Sequence, residues 1–245
     1  MPLFGLIGYP LSHSFSGKYF TEKFEKEGLT DHRYELYPLS SVEQLPQLLA
    51  SEPELRGLNV TIPYKQQVLQ FLDNTDSIPE GINACNCIKI QDGRLIGYNT
   101  DIVGFEKSFL EQLQPHHNKA LVLGNGGAAA AVTYVLKKLG IAYNIVSRNL
   151  HRSSSLTYSD LNESIISKHK VIINTTPLGT FPDVDVCPPI PYEFLTGEHY
   201  LYDLIYNPSK TLFLKNGEKQ SAIIKNGYEM LLLQAEESWR IWNDR

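Results

Sequence analysis

Two groups of residues in this sequence have the types and spacing to do chemistry. The first is a set of polar side chains, each at or just beyond the end of an apolar run: Ser12 and Ser14 in "PLSHS", Asn59, Thr61 and Lys65 in "NVTIPYK", Asn86 in "ACNC", and Asn99, Thr100 and Asp101 in "YNTD". Hydroxyls and amides with one cation and one anion suit a small polyol that bears a carboxylate. Lys65 is the one lysine of the set, and a lysine beside an aspartate can supply a proton to a forming alkoxide. The carboxylate orients the ammonium and favours its charged form against desolvation. Plainer readings stay open at this level: Lys65 as a solvated residue at a helix start, Ser12 and Ser14 as turn or capping residues, and Asp101 as a helix N-cap.

The second group is Gly124-Asn125-Gly126-Gly127-Ala128-Ala129, which fits G-x-G-x-x-A between a strand and a helix. Gly124 permits the tight turn, Gly126 lets the backbone approach a pyrophosphate without a Cβ in the way, and Ala129 lets the helix pack closely. The helix start then offers free N–H groups and a partial positive charge to phosphates. The end of the next strand selects the cofactor. An NAD site places Asp or Glu about 20 residues on, for the ribose 2′-hydroxyl. Here the position reads Ser147-Arg148-Asn149, with Arg152 shortly after and no carboxylate among them. A planar guanidinium suits a 2′-phosphate, so NADP is expected over NAD.

These residues need elements to hold them. "LFGLIG" reads as a strand and "FSGKYFTEKFEKEG" as a helix with Phe20 and Phe24 on one face, N-capped by Ser14 or Ser16 and stopped at Gly28. "HRYELYPL" is a strand, "SVEQLPQLLAS" a helix, "LRGLNVTIP" a strand stopped by Pro63, and "YKQQVLQFL" a helix. That β-α-β-α-β rhythm points to a parallel α/β sheet. "ACNCIKI" and "RLIGYNTD" form a hairpin about Asp92-Gly93, and "IVGFEKSFLEQL" is a helix leading out of the first unit. The second unit has a buried strand over 120–123, a helix over 127–139 stopped by Gly140, and apolar strands in "AYNIVSRN", "KVIINTTPLGT" and "HYLYDLIYNPS". "RSSSLTYSD" reads as a polar surface stretch, and "GYEMLLLQAEESWRIW" is a strong helix.

The totals narrow the partners. A chain of 245 residues suits one large domain or two small ones. A net charge of −5 offers no basic field to nucleic acid or to an anionic membrane. The N-terminus lacks a basic n-region and no stretch approaches the roughly 18 apolar residues of a span, so neither a signal peptide nor a membrane anchor is expected. The three cysteines make no CxxC pair and the seven histidines no HxxxH or HExxH spacing. Reduced thiols in a cytoplasmic protein without a metal site are expected.

Taken together, the sequence resembles the shikimate dehydrogenase family over nearly its whole length. The pieces stand in the family's order: "GYPLSHSFS", "NVTIPYK", "ACNC", "NTD", "GNGGA", "SRN", "NTTPLG", "YDLIY" and "GYEMLLLQA". The resemblance implies a reversible reduction of 3-dehydroshikimate to shikimate by NADPH, with Lys65 and Asp101 as the catalytic pair. It implies that Ser12 and Ser14 bind the substrate carboxylate with help from Tyr206 and Thr61, and that Asn59, Asn86, Asp101 and Gln234 hold the ring hydroxyls. For the cofactor it implies Gly124, Asn125, Gly126, Gly127 and Ala128 at the pyrophosphate. Arg148 is implied at the 2′-phosphate, among Ser147, Asn149 and Arg152. Asn174, Thr175, Thr176 and Pro177, in a stretch reaching Gly179, would lie along the nicotinamide side, and Gly227 is also implied as a contact.

The fold implied is two α/β domains. Residues 1–101, completed by the C-terminal helix 226–245, would bind substrate, and residues 102–225 would form a Rossmann-like NADP-binding domain, with the active site in the cleft between them. The protein would act as a monomer or homodimer. A quinate/shikimate dehydrogenase using NAD or both cofactors, and a non-catalytic ligand-binding relative, are the alternatives. Four positions depart from the family's pattern: Cys87 replaces a threonine, "SRN" lacks one, Thr180 replaces a common methionine, and Glu229 replaces a small residue.

Overall fold

The computed structural model describes residues 1–11, 14–149 and 155–244. Its contacts divide the chain into two compact units, Met1–Thr100 with Ala235–Arg245, and Asp101–Gln234.

The first unit is built on β1 (Leu3–Gly8), α1 (Phe15–Lys26), β2 (Arg33–Pro38), α2 (Leu45–Ser51), β3 (Leu55–Val60), β4 (Cys87–Gln91) and β5 (Arg94–Tyr98). The sheet order is β2-β1-β3-β4-β5. β1 runs parallel to β2 and β3, and β4 and β5 complete the sheet as an antiparallel hairpin. All six residues of β1 are buried, as a central strand with both faces covered requires. Its alternation serves two cores. Leu3 and Ile7 join Leu58, Val60, Tyr64, Val68 and Ile88 on one face, while Phe4 and Leu6 join Phe20, Phe24, Tyr34 and Trp242 on the other. Phe20 and Phe24 form the buried stripe of α1, and Gly28, at φ +69°, ends that helix. Asp92 and Gly93 both take positive φ, as a two-residue hairpin turn of this kind demands.

Three local expectations change. The strand in "NVTIPYK" ends at Val60, and beyond Pro63 the chain forms a run of turns and a short 3-10 stretch, Gln67–Phe71, rather than an α-helix. The Lys65 carbonyl is the reason: it accepts from Cys85 N–H at 2.7 Å, so it is not part of a helical ladder. Ser14 occupies the N-cap position of α1, yet its side chain makes no capping bond. Asp101 lies inside the first turn of the next helix, behind Thr100, and not at a cap.

The second unit continues with α3 (Thr100–Leu110), β6 (Lys119–Leu123), α4 (Gly127–Lys138), β7 (Ala142–Ser147), β8 (Leu156–Thr157), α5 (Glu163–Lys168), β9 (Val171–Asn174), β10 (Tyr200–Asp203), α6 (Leu212–Lys219), β11 (Ile223–Lys225) and α7 (Tyr228–Asn243). Its sheet order is β11-β10-β9-β6-β7-β8, parallel throughout. The order reverses between β6 and β9, and the carboxyl ends of strands at such a reversal form a ligand crevice. β8 lies in the stretch expected to be only polar surface, and α5, α6 and β11 go beyond the sequence reading. They are short, and α6 carries Gly217 where a Cβ would come 2.4 Å from Leu201, so close packing replaces a clear helical signal.

The chain passes between units twice, in the first turn of α3 and within α7. The end of α7 belongs to the first unit: Trp242 stacks on Phe4 at 4.8 Å and donates its indole N–H to the Ile88 carbonyl at 3.0 Å. Gly57 makes room for it, since a Cβ there would meet the indole at 2.2 Å. The divide after Gln234 differs from the sequence reading, which gave the helix from 226 onward to the first unit. Among the described residues no helix is long and apolar enough to cross a membrane.

Candidate active site

In the first unit Asn59, Thr61 and Lys65 stand at or just beyond the carboxyl end of β3, with Asn86 beside it at the start of β4 and Ser14 beyond β1. Thr61 follows β3 directly and donates its N–H to the Ile7 carbonyl at 3.0 Å. Gly8 is required beside it, because a Cβ there would sit 2.4 Å from the Thr61 methyl. Lys65 is half-buried and flanked by anchors. Tyr64 and Val68 are buried in the core, the Tyr64 hydroxyl donates to the Leu39 carbonyl at 2.6 Å, and the Lys65 carbonyl takes Cys85 N–H. The lysine backbone is thereby tied to the segment that carries Asn86.

Asn59 and Asn86 are 4% and 3% exposed and belong to one buried network. The Asn59 carboxamide accepts from the Tyr34 hydroxyl at 2.8 Å and donates to Ser238 Oγ at 2.9 Å and to the Asn86 carbonyl at 3.4 Å. Asn86 accepts from Thr100 N–H at 2.6 Å and donates to Thr100 Oγ1 at 3.0 Å, and Thr100 Oγ1 lies 3.3 Å from Ser238 Oγ. Burial pushes the Tyr34 phenol well above its ordinary pKa, so it stays a neutral donor. Tyr34 and Ser238 are the members that the sequence reading missed. Alternation along β2 points Tyr34 inward, but only the fold brings Ser238 to Asn59.

Ser14 Oγ and Asn99 Oδ1 are buried and, among the described residues, have no hydrogen-bond partner. A buried hydroxyl in that state suits a ligand oxygen. Ser12, its expected companion, lies outside the described residues. Cys87, in place of a threonine, is fully buried with its thiol pushed far up by desolvation, so it packs and does not react.

In the second unit the glycine turn stands at the carboxyl end of β6. Gly124 has φ +106°, and a Cβ there would come 2.8 Å from Thr175 Oγ1, so fold and backbone both demand glycine. Gly126 and Gly127 differ: both are exposed and a Cβ on either would meet nothing within 4 Å. Asn125 is exposed and Ala128 half-buried, while Ala129 is packed inside. The 12-residue helix α4 starts with no side-chain cap and no acidic residue in its first turn. Among the described residues, then, nothing stands within 4 Å of where a Cβ on Gly126 or Gly127 would lie, and no acid in the first turn opposes the helix dipole, which fits a pyrophosphate. Ser147 ends β7 with its hydroxyl bonded to the Asn149 carbonyl, and Arg148 and Asn149 follow it, exposed. Arg152 lies outside the described residues. The residues present fit NADP.

The stretch after β9 is fastened to this turn. Thr175 donates its N–H and its hydroxyl to the Leu123 carbonyl at 3.0 and 2.7 Å. Asn174 is fully buried, and Thr176 and Pro177 follow it at the same strand end. Tyr206 is half-buried past β10. Gly227 owes its identity to packing, because a Cβ there would come 2.1 Å from the Leu204 carbonyl oxygen. Asp101 stands in the first turn of α3, where the helix dipole favours an anion. Gln234 is 9% exposed on α7, which crosses α3 closely: a Cβ on Gly104 would be 2.5 Å from the Met230 carbonyl oxygen. Lys65 belongs to the first unit, and Asp101, Tyr206 and Gln234 to the second. Glu229 pairs with Lys225, which also meets Glu111, so a charge is accommodated at that departure from the pattern. Among the described residues no group of three or more His, Cys, Asp or Glu is placed to hold a metal ion.

Comparison with known proteins gives the same family from independent directions. The family model described as the shikimate dehydrogenase substrate binding domain matches residues 6–88. A shikimate dehydrogenase (NADP(+)) of Methanococcus maripaludis is 37% identical, over 98% of this chain and 91% of the relative. A crystal structure of a shikimate dehydrogenase in complex with NADP+ superposes with a TM-score of 0.88 at 32% identity, covering 99% of this chain and 90% of the other. The shikimate 5-dehydrogenase of Thermus thermophilus, solved with NADP(H) and shikimate, gives 0.87 at 29% identity, with 99% and 94% covered. With the glycine turn, the amide network and a relative of this identity spanning almost all of both chains, the protein belongs to the shikimate dehydrogenase family.

Proposed function

We propose that this chain catalyses the reversible reduction of 3-dehydroshikimate to shikimate with NADPH, with Lys65 as proton donor and Asp101 as its carboxylate partner. The observation that carries the reading is the placement of Lys65. Its backbone is locked by Cys85 N–H and by the buried Tyr64 and Val68, immediately beyond the strand that brings Asn59 to Asn86. NADPH, when bound, supplies the hydride to the ketone carbon. The Lys65 ammonium gives the resulting alkoxide oxygen its proton, and in the reverse direction the neutral amine takes the hydroxyl proton. Ser12 and Ser14 hold the substrate carboxylate with Thr61 and Tyr206. Asn59, Asn86, Asp101 and Gln234 hold the ring hydroxyls, Asn59 through its carboxamide oxygen because both its amide N–H groups are engaged.

The cofactor lies on Gly124, Asn125, Gly126, Gly127 and Ala128, along Asn174, Thr175, Thr176 and Pro177, and near Gly227. Ser147, Arg148, Asn149 and Arg152 surround the 2′-phosphate. The protein works in the cytoplasm on small molecules, as a monomer or homodimer, with neither nucleic acid nor membrane as partner, a reading its net charge of −5 supports. The test is consumption of NADPH by the purified chain with 3-dehydroshikimate, repeated with NADH. The reading expects NADPH to be preferred, and no consumption of either cofactor would overturn it.

A further inference from the structure

Asp203, at the end of β10, has no part in the roles above. It is a fully buried carboxylate, and burial pushes its pKa up to about 6. A buried acid is costly unless its oxygens are satisfied. Here Oδ1 accepts from Asn174 Nδ2 at 3.0 Å and from Ile205 N–H at 3.1 Å, and Oδ2 accepts from the Thr211 hydroxyl at 2.6 Å. Asn174 is its register partner on β9.

The Asn174 carboxamide has four hydrogen-bonding positions and uses all of them. Nδ2 donates to Asp203 and, at 3.4 Å, to the Leu178 carbonyl. Oδ1 accepts from Thr176 N–H at 3.0 Å and from the Thr176 hydroxyl at 2.6 Å. An amide can turn over and exchange its oxygen for its nitrogen, which would face two donors with a donor. An ionised carboxylate only accepts, so Asp203 admits Nδ2 alone and forces Oδ1 toward Thr176. The far end of the same stretch passes close to Thr211: at Gly179, φ +98°, a Cβ would be 3.0 Å from the Val186 carbonyl oxygen and 3.5 Å from the Thr211 Cβ.

We propose that Asp203, braced by Thr211, is a positioning residue for the cofactor: it fixes the orientation of the Asn174 amide and thereby the course of residues 174–179 beside the glycine turn. The inference rests on the NADP reading of that turn. Asp203→Asn keeps the shape but replaces the acceptor-only carboxylate with a neutral amide, so the Asn174 amide keeps only the Thr176 N–H and the Leu178 carbonyl to set its orientation and is held more weakly. NADPH affinity, read by fluorescence titration, is expected to fall at least tenfold, while KM for 3-dehydroshikimate stays within twofold. Thr211→Val leaves the carboxylate but removes its brace, and a smaller loss of about threefold is expected. A purely structural role would lower the thermal midpoint and the active fraction but leave NADPH affinity of the folded protein unchanged, and that result in Asp203→Asn would overturn the inference. Should Asp203→Asn not fold, unchanged affinity in Thr211→Val would overturn it. Failure of the wild type to bind NADPH is a separate result, which removes the functional reading itself.

Discussion

Asn59 shows how much of a site is support. Its amide meets Tyr34, Ser238 and Asn86, so the wall around the proposed substrate is set by residues that need not touch it. Tyr34→Phe strands the buried Asn59 oxygen without its donor. It is expected to lower unfolding free energy by about 1–3 kcal/mol, measured by chemical denaturation, and an unshifted midpoint would contradict this. Arg148 tests the cofactor choice. A hydrogen bond to a charged group contributes about 1.5–3 kcal/mol, so Arg148→Ser should raise KM for NADPH about tenfold or more while KM for NADH barely moves. Equal changes for both would assign Arg148 elsewhere. The residue types at Lys65, Asp101 and the glycine turn were legible because each stands in a contiguous pattern. Ser238 was not, because it lies 179 positions from Asn59 and only the return of α7 brings them together.

Elements explain what a pattern alone leaves undivided. The glycine turn reads as one motif, yet its members serve different ends. Gly124 answers to the fold through φ +106° and the nearby Thr175 hydroxyl, whereas Gly126 has φ −81° and open space where a Cβ would go. Gly124→Ala is therefore expected to cost on the order of 1–3 kcal/mol in stability. Gly126→Ala should leave stability level or slightly higher but weaken NADPH binding, since its Cβ would project toward the phosphates. Thermal melts paired with NADPH titration separate the two, and equal stability losses would contradict the division. The same limit on pattern shows after Pro63. "YKQQVLQFL" has helical composition, but a contact with Cys85, 20 positions on, takes the Lys65 carbonyl and leaves turns and a 3-10 stretch. Short elements such as α5 and β11 were hidden for a related reason: too few residues carry the period.

At the scale of the whole molecule, two α/β units were legible from the rhythm of strands and helices. The divide within α7 was not, because one continuous helix carries no break in pattern to mark it. The second unit also carries an acid sensitivity at the amino ends of its strands. His117, His169 and His199 sit just before β6, β9 and β10, buried, with ring nitrogens bonded to backbone or side-chain groups. Burial holds all three below the ordinary 6.5, so the unfolded chain takes up protons that the folded unit refuses. Their contribution to stability is present above about pH 6.5 and is lost as pH falls below it. Asp203, raised to about 6, works in the opposite sense as a single group. The thermal midpoint should decline as pH drops below that point, and a midpoint constant from pH 7 to 5 would contradict this, within the range expected of ordinary histidines. The central claim is that this chain reduces 3-dehydroshikimate with a proton from Lys65. It is tested most directly by following NADPH loss and shikimate formation together in the wild type and in Lys65→Ala. The account predicts one shikimate per NADPH in the wild type and a fall in kcat of roughly 10²–10⁴-fold in the variant, with substrate still bound. Undiminished turnover in Lys65→Ala, or NADPH loss without shikimate, would contradict it.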